Sequence, residues 1–226
     1  MQDISNAGGV SVDPKVLIGI PLNYKFIESP FFISYAGMAK TFPPGYEVFV
    51  AVDKSIAAMR NLMATRAIDG DFTHLFMLDV DMVYPDQILP VFLSYDVDII
   101  QGLCCGRSNT DYMPIYARPK PGHRFVQEFC YPKGTTGIVE SSMCGGGGTL
   151  IKVDVLRALS YPYFMTLEED GEVIGEDLYL SVKAREAGFK CWTCLDMPID
   201  HLVSSGAAIR PNADGSWTRE TITYGF

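Results

Sequence analysis

Thr73-His-Leu-Phe-Met-Leu-Asp-Val-Asp-Met-Val-Tyr-Pro-Asp86 sets an apolar run directly against two carboxylates. His74 to Leu78 reads as a buried strand, and Asp79 and Asp81 lie just past its end. In an extended segment residues i and i+2 share a face, so both carboxylates can point at one cation. Hard cations such as Mg²⁺ or Mn²⁺ take oxygen ligands of this kind. A solvated acidic pair at a strand end gives the same pattern, so the tripeptide alone does not decide its use.

On the N-terminal side, Lys15 to Pro21 and Tyr46 to Val52 read as strands, the second closed by Asp53. A helix is expected within Glu28 to Thr41. Another is expected over Lys54 to Ile68, with Ile56, Met59, Met63 and Ala67 at helical spacing and Gly70 just beyond. On the C-terminal side, Pro85 to Leu93 reads as a helix with Pro85 in its first turn, and Val97 to Gln101 as a fourth strand. This βαβαβαβ alternation predicts an α/β fold with a mostly parallel central sheet. In such sheets ligands bind beyond the carboxyl ends of the strands, where Asp79 and Asp81 fall.

The pattern changes after Gln101. Tyr112 to Ala117 and Thr136 to Glu140 read as strands, and the glycine run Gly145 to Gly148 leads into a strand over Thr149 to Val153. A short helix is expected over Asp154 to Leu159, and a longer one over Glu176 to Ala187 with Gly188 at its C-terminal cap. Lys190 to Leu195 is the last expected strand. Ser204 to Phe226 is polar and reads as a tail or lid.

The 226 residues, 48% hydrophobic and 20% charged, suit one globular domain with a single large core. A formal charge of −9 repels phosphate backbones and argues against general nucleic-acid binding. No run of about 18 apolar residues is present, so no transmembrane segment is expected. Met1 to Val12 lacks the basic-then-apolar order of a signal peptide, so the expected location is the cytoplasm, with the six cysteines reduced. Cys191-Trp-Thr-Cys194 has no matching second knuckle, and reads as buried strand cysteines rather than a zinc site.

Two more constellations carry chemistry. Gly175-Glu176-Asp177 opens a helix. Acids there are favoured by the exposed N–H groups, and one of them could equally serve as a general base. His201, in Pro198-Ile-Asp-His-Leu202, could supply imidazole to the cation of Asp79 and Asp81, since Mn²⁺ accepts mixed carboxylate and imidazole ligands.

Taken in order, these segments resemble glycosyltransferases of the GT-A fold, in particular the small family-2-like transferases of bacteria and phages. The resemblance runs from Ala58-Met-Arg-Asn61 through Asp79-Val-Asp81, Gly146-Gly-Gly-Thr-Leu-Ile-Lys-Val-Asp-Val-Leu156 and Gly175-Glu-Asp-Leu178 to Ala187-Gly-Phe189 and Asp200-His201, covering about residues 15 to 203. It implies a nucleotide-binding half over about 13–103, an acceptor-side half with a smaller mixed sheet over about 104–203, and the tail or lid at 204–226. It implies a metal site of Asp79, Asp81 and His201 holding Mn²⁺ or Mg²⁺. Asp79, Val80 and Asp81 would also engage the sugar nucleotide, with Pro21, Asp53 and Arg60 lining the nucleotide pocket. Asp177 would be the catalytic base, with Glu176 beside it facing the acceptor, and Gly146 and Gly147 would leave room for sugar or acceptor.

The implied activity is metal-dependent transfer from a nucleotide-diphosphate sugar, a UDP-sugar in first place, to an acceptor hydroxyl with inversion. The acceptor could be a glycan, a lipid-linked glycan, a protein or a modified DNA base. Two rivals use the same residues. Asp79-Val-Asp81-Met-Val83 fits the nucleophile motif of haloacid-dehalogenase-type phosphatases, although two βα units precede it here and no later lysine and acid follow in order. A non-catalytic nucleotide-sugar-binding module could keep the same fold.

Overall fold

Strand Val16–Leu22 lies between Glu47–Val52 and His74–Met77 and pairs with both in parallel, in a computed structural model that describes residues 13–23, 27–52, 55–106, 113–125, 127–131, 133–169, 171–203 and 207–221. The full sheet has seven strands in the order Ile138–Ser141, Cys191–Pro198, Ile99–Leu103, Thr149–Lys152, His74–Met77, Val16–Leu22, Glu47–Val52. Thr149–Lys152 runs antiparallel to both neighbours, and Ile138–Ser141 runs antiparallel to Cys191–Pro198. The other strands share one direction. Because Thr149–Lys152 inserts between strands of the N-terminal half, the two halves share one sheet.

Helices cover both faces. On one face lie α2 (Ile56–Asp69), α4 (Val153–Ala158) and α5 (Glu176–Glu186). The Ser55 hydroxyl caps α2 by accepting from Ala58 N at 3.3 Å. Met59, Met63, Ala64 and Ala67 of α2 pack on Leu17, Ala51 and Leu75, together with Leu180 and Ala184 of α5. The other face carries α1 (Ser29–Met38) and α3 (Ile88–Tyr95), whose Phe31, Met38, Ile88, Leu89 and Phe92 bury Ile18, Ile20 and Phe76. Burial of these apolar faces is the main force holding the layers together. α3 begins at Ile88 rather than Pro85, because Pro85 to Gln87 form a turn. Pro85 O accepts from Ile88 N, and Asp86 O from Thr41 Oγ1.

A second sheet orders Trp217–Thr221, Ala207–Pro211, Asp200–Val203 and Met82–Val83, all antiparallel. The expectation of a tail or lid after Ser204 therefore gives way over 207–221 to a hairpin that completes this sheet. The cause is local: Arg210 makes a two-pronged bond to the buried Asp200 at 2.7 and 2.6 Å, tying the hairpin to the strand that carries His201. Cys191 and Cys194 are buried in the main sheet, as their strand reading requires. Among the described residues, no helix is long and apolar enough to cross a membrane.

Candidate active site

The turn after His74–Met77 carries Asp79, Val80 and Asp81 at the carboxyl end of the parallel strands. It is pinned from two sides. Tyr84 donates its hydroxyl to Asp79 O at 2.9 Å, and Leu202 N donates to Asp81 O at 2.8 Å. Burial pushes the Tyr84 phenol well above its ordinary value, so it remains a neutral donor. Met82 pairs with His201 across the second sheet, which brings the imidazole beside Asp81 with Nε2 3.7 Å from Oδ2. His201 Nδ1 lies 2.7 Å from Cys105 O. A carbonyl only accepts, so Nδ1 carries a proton and Nε2 is the nitrogen that faces Asp81.

Asp79 is arranged differently. Both its carboxylate oxygens accept from Nη2 of Arg60 at 2.9 Å, and Arg60 Nη1 donates to Glu176 Oε1. Arg60 is 3% exposed. Burial acts to lower its pKa, but the charges of Asp79, Glu176 and Asp177 more than offset this and raise it, so the guanidinium stays charged. Its Nε is buried without an acceptor. The glycine run makes room for it. A Cβ on Gly146 would lie 1.9 Å from the guanidinium, and one on Gly147 would lie 2.6 Å from Met82 Sδ and 2.9 Å from Asp79 Oδ2. The run is itself held by buried polar side chains: Gln101 Oε1 accepts from Gly145 N, and Ser181 Oγ accepts from Cys144 N at 3.0 Å.

Glu176 and Asp177 open α5, where the exposed N–H groups favour acids. Desolvation raises the Glu176 pKa, against the lowering effect of Arg60, and Asp177 adds to the rise. Asp177 Oδ1 accepts from Leu178 N at 2.7 Å, which fixes its carboxylate at the cavity wall.

A cavity of about 400 Å³ unites these groups. Pro21, Arg60, Asp79, Val80, Asp81, Glu176, Asp177 and His201 all line it. Asp53 lies outside the described residues. Asn23, Ile56, Cys104 and Ile115 also line the cavity and were not singled out in the sequence; only their place at strand or helix ends hints at them. Burial pushes the Cys104 thiol well above its ordinary value.

Three details differ from expectation. Among the described residues no three His, Cys, Asp or Glu side chains are gathered closely enough to hold a metal ion, and Asp79 is bonded to Arg60. Arg60 lines the cavity as expected but is also buried within an ion-pair bridge to Asp79 and Glu176. Gly146 and Gly147 line the cavity, but the side toward which a Cβ would project is occupied by Arg60, Met82 and Asp79.

No protein-family model matches the chain, and no curated protein matches it. Among solved structures, A197 from STIV superposes over 94% of this chain and 97% of its own, with TM-score 0.62 and 17% identity. TarS 1-349 from S. aureus superposes over 80% of this chain and 60% of its own, with TM-score 0.47 and 15% identity. At these identities the likeness concerns architecture. The chain has a mixed α/β fold, a seven-stranded sheet flanked by helices with smaller sheets beside it, consistent with the GT-A-like fold expected from the sequence, and A197 from STIV is similar to it over nearly its whole length.

Proposed function

We propose that the chain is a glycosyltransferase that moves a sugar from a nucleotide-diphosphate sugar, a UDP-sugar in first place, to an acceptor hydroxyl with inversion, and that it depends on Mn²⁺ or Mg²⁺. The observation that carries this reading is one cavity at the carboxyl strand ends holding an Asp81–His201 pair, a charged arginine and a helix-opening Asp177. Fold alone does not decide activity, so the argument rests on these groups.

Asp81 and His201 are donor types that a divalent cation accepts, although with Asp79 held by Arg60 they do not by themselves make a three-donor set. Asp81 offers carboxylate oxygen, and His201 offers an imidazole nitrogen whose partner nitrogen is anchored on a backbone carbonyl. When bound, such a cation offsets the charge of the diphosphate leaving group. Arg60 keeps Asp79 and Glu176 compensated, which limits repulsion of an anionic donor. Glu176 is engaged by Arg60, so Asp177 is the carboxylate assigned to accept the proton of the acceptor hydroxyl. In a phosphatase Asp79 would have to be an open nucleophile, and here both its oxygens are bonded to Arg60.

The test is a screen of nucleotide-sugars by thermal shift with and without Mn²⁺, followed by turnover of the best donor. Asp177→Asn is expected to lower turnover by about 100-fold or more while donor binding stays nearly intact. Unchanged turnover would overturn the base assignment, and proton NMR of the product decides its anomeric configuration.

A further inference from the structure

An open sheet ends in strands whose outer N–H and C=O groups lack partners, and folded proteins guard such edges with charges, short length or cover. Ile138–Ser141 and Glu47–Val52 end the main sheet, and Met82–Val83 and Trp217–Thr221 end the second. Three of these edges are guarded. Ile138–Ser141 carries Glu140, bonded by Lys190 at 2.9 Å, and Ser142 just beyond it donates its N–H to Ala117 O at 2.8 Å. Trp217–Thr221 carries Arg219 and Glu220, and Met82–Val83 is two residues long. Glu47–Val52 has no such device. Among the described residues it pairs on one side only, with Val16–Leu22, in a register unbroken from Glu47 to Val52.

The side chains of this edge are apolar and exposed. Val48, Val50 and Val52 are 44%, 45% and 50% exposed, and Tyr46 just before the strand is 38% exposed. Twelve large apolar side chains are exposed among the described residues, and four of them fall within 46–52. That is a contiguous patch rather than the scatter of single residues any surface shows. The valines stand in register with Ile18, Ile20 and Leu22, of which Ile18 and Ile20 are buried in the core under α1. Glu47 is the one charged side chain of the strand, and Arg66 bonds it at 3.0 Å. The edge is therefore locally neutral on a chain of net charge −9, and a second copy meets no uncompensated like charge there.

We propose that Glu47–Val52 is a homodimer interface, to which the same strand of a second copy adds antiparallel and joins the two seven-stranded sheets into one. The strand is complementary to itself. Turned about Val50, it sets Val50 across from Val50 of the other copy and Val48 across from Val52 on one face. On the other face it sets Phe49 across from Ala51, large against small. Glu47 falls outside this pairing. A strand of this length spans about 20 Å, which places the contact at the small end of stable interfaces. The dimer is accordingly reversible, with a dissociation constant in the micromolar range. In an antiparallel pair the carboxyl strand ends of the two copies, and with them the two cavities, face opposite directions. Nothing in this association depends on the sugar-transfer reading.

Sedimentation velocity on the full chain, from about 1 to about 100 µM, tests this and is expected to show a monomer–dimer equilibrium. Val50→Lys sets two ammonium groups across from each other and is expected to weaken association by about tenfold or more. Phe32→Lys changes an apolar side chain of α1 that is more exposed still, and is expected to leave association unchanged. Val50 is nearly half exposed in the single chain, so the lysine variant should keep the parent's circular dichroism. If it does not fold, Val50→Thr, which keeps the β-branched shape, takes its place with an expected weakening of about threefold. A parent chain that stays monomeric at every concentration would overturn the proposal. So would association of a folded Val50 variant equal to that of the parent, or a loss in Phe32→Lys as large as in Val50→Lys.

Discussion

Gly146 decides whether Arg60 can occupy its place. A methyl group there would lie 1.9 Å from the guanidinium, well inside contact distance, and the arginine is 3% exposed and tied to two carboxylates. Gly146→Ala is therefore expected to lower stability by about 1–3 kcal/mol, read as a shift of the urea midpoint. A stability unchanged from the parent chain would mean that the guanidinium has another place to go.

At the scale of elements, the pairing of His74–Met77 with Thr149–Lys152 sets Lys152 directly across from His74. Burial first, and then the Lys152 charge, push the His74 pKa down from 6.5 to about 4, against smaller raising effects of Asp96 and Asp154. Between those two values the unfolded chain binds a proton that the native sheet does not. Stability therefore rises with pH through this window, and is lost as pH falls from about 6.5 to about 4. The contribution is about 2 kcal/mol after discounting for partial exposure of the ring. His74→Gln should accordingly lose less stability than the parent between pH 7 and pH 4, in urea melts across that range. The elements themselves were legible where apolar periodicity is long: Val16–Leu22, Ile56–Asp69, His74–Met77 and Glu176–Glu186 fall within a few residues of expectation. The second sheet was not. Met82–Val83 is two residues long, Trp217–Thr221 is exposed throughout and shows no alternation, and the pairing of Met82 with His201 is set by tertiary structure. Arg60 illustrates a partial reading. Arg60, Met63, Ala64 and Ala67 follow the i, i+3, i+4, i+7 spacing of a buried helix face, so its burial was written in the sequence. Its partners were not, because Asp79 and Glu176 come from two other segments.

For the whole molecule, residues 207–221 belong to the architecture that seats the site. The bond between Arg210 and Asp200 joins the C-terminal hairpin to the strand holding His201, and Asp200 is nearly buried. Arg210→Ala would leave that carboxylate without its partner. A loss of about 1–2 kcal/mol is expected in thermal melts, reduced because Arg210 is itself half exposed. Mn²⁺ affinity should fall with it, as the strand next to Met82–Val83 loses its backing. A variant with unchanged melting and unchanged Mn²⁺ binding would show that the hairpin is an independent appendage.

The bridge from Asp79 through Arg60 to Glu176 has a consequence for how the chain reaches its native state. Arg60 and Glu176 are separated by 116 positions, and the glycine run that covers the guanidinium comes from a third region of the chain. The hydrogen bonds of α2 are local in sequence, but the arginine can be enclosed only after Thr149–Lys152 has entered the sheet and α5 has docked. Contacts of such long range form slowly, because the intervening chain must be ordered first. Protection of the amides around Gly146 against hydrogen exchange should thus appear in the final kinetic phase of refolding, after the helices have acquired theirs.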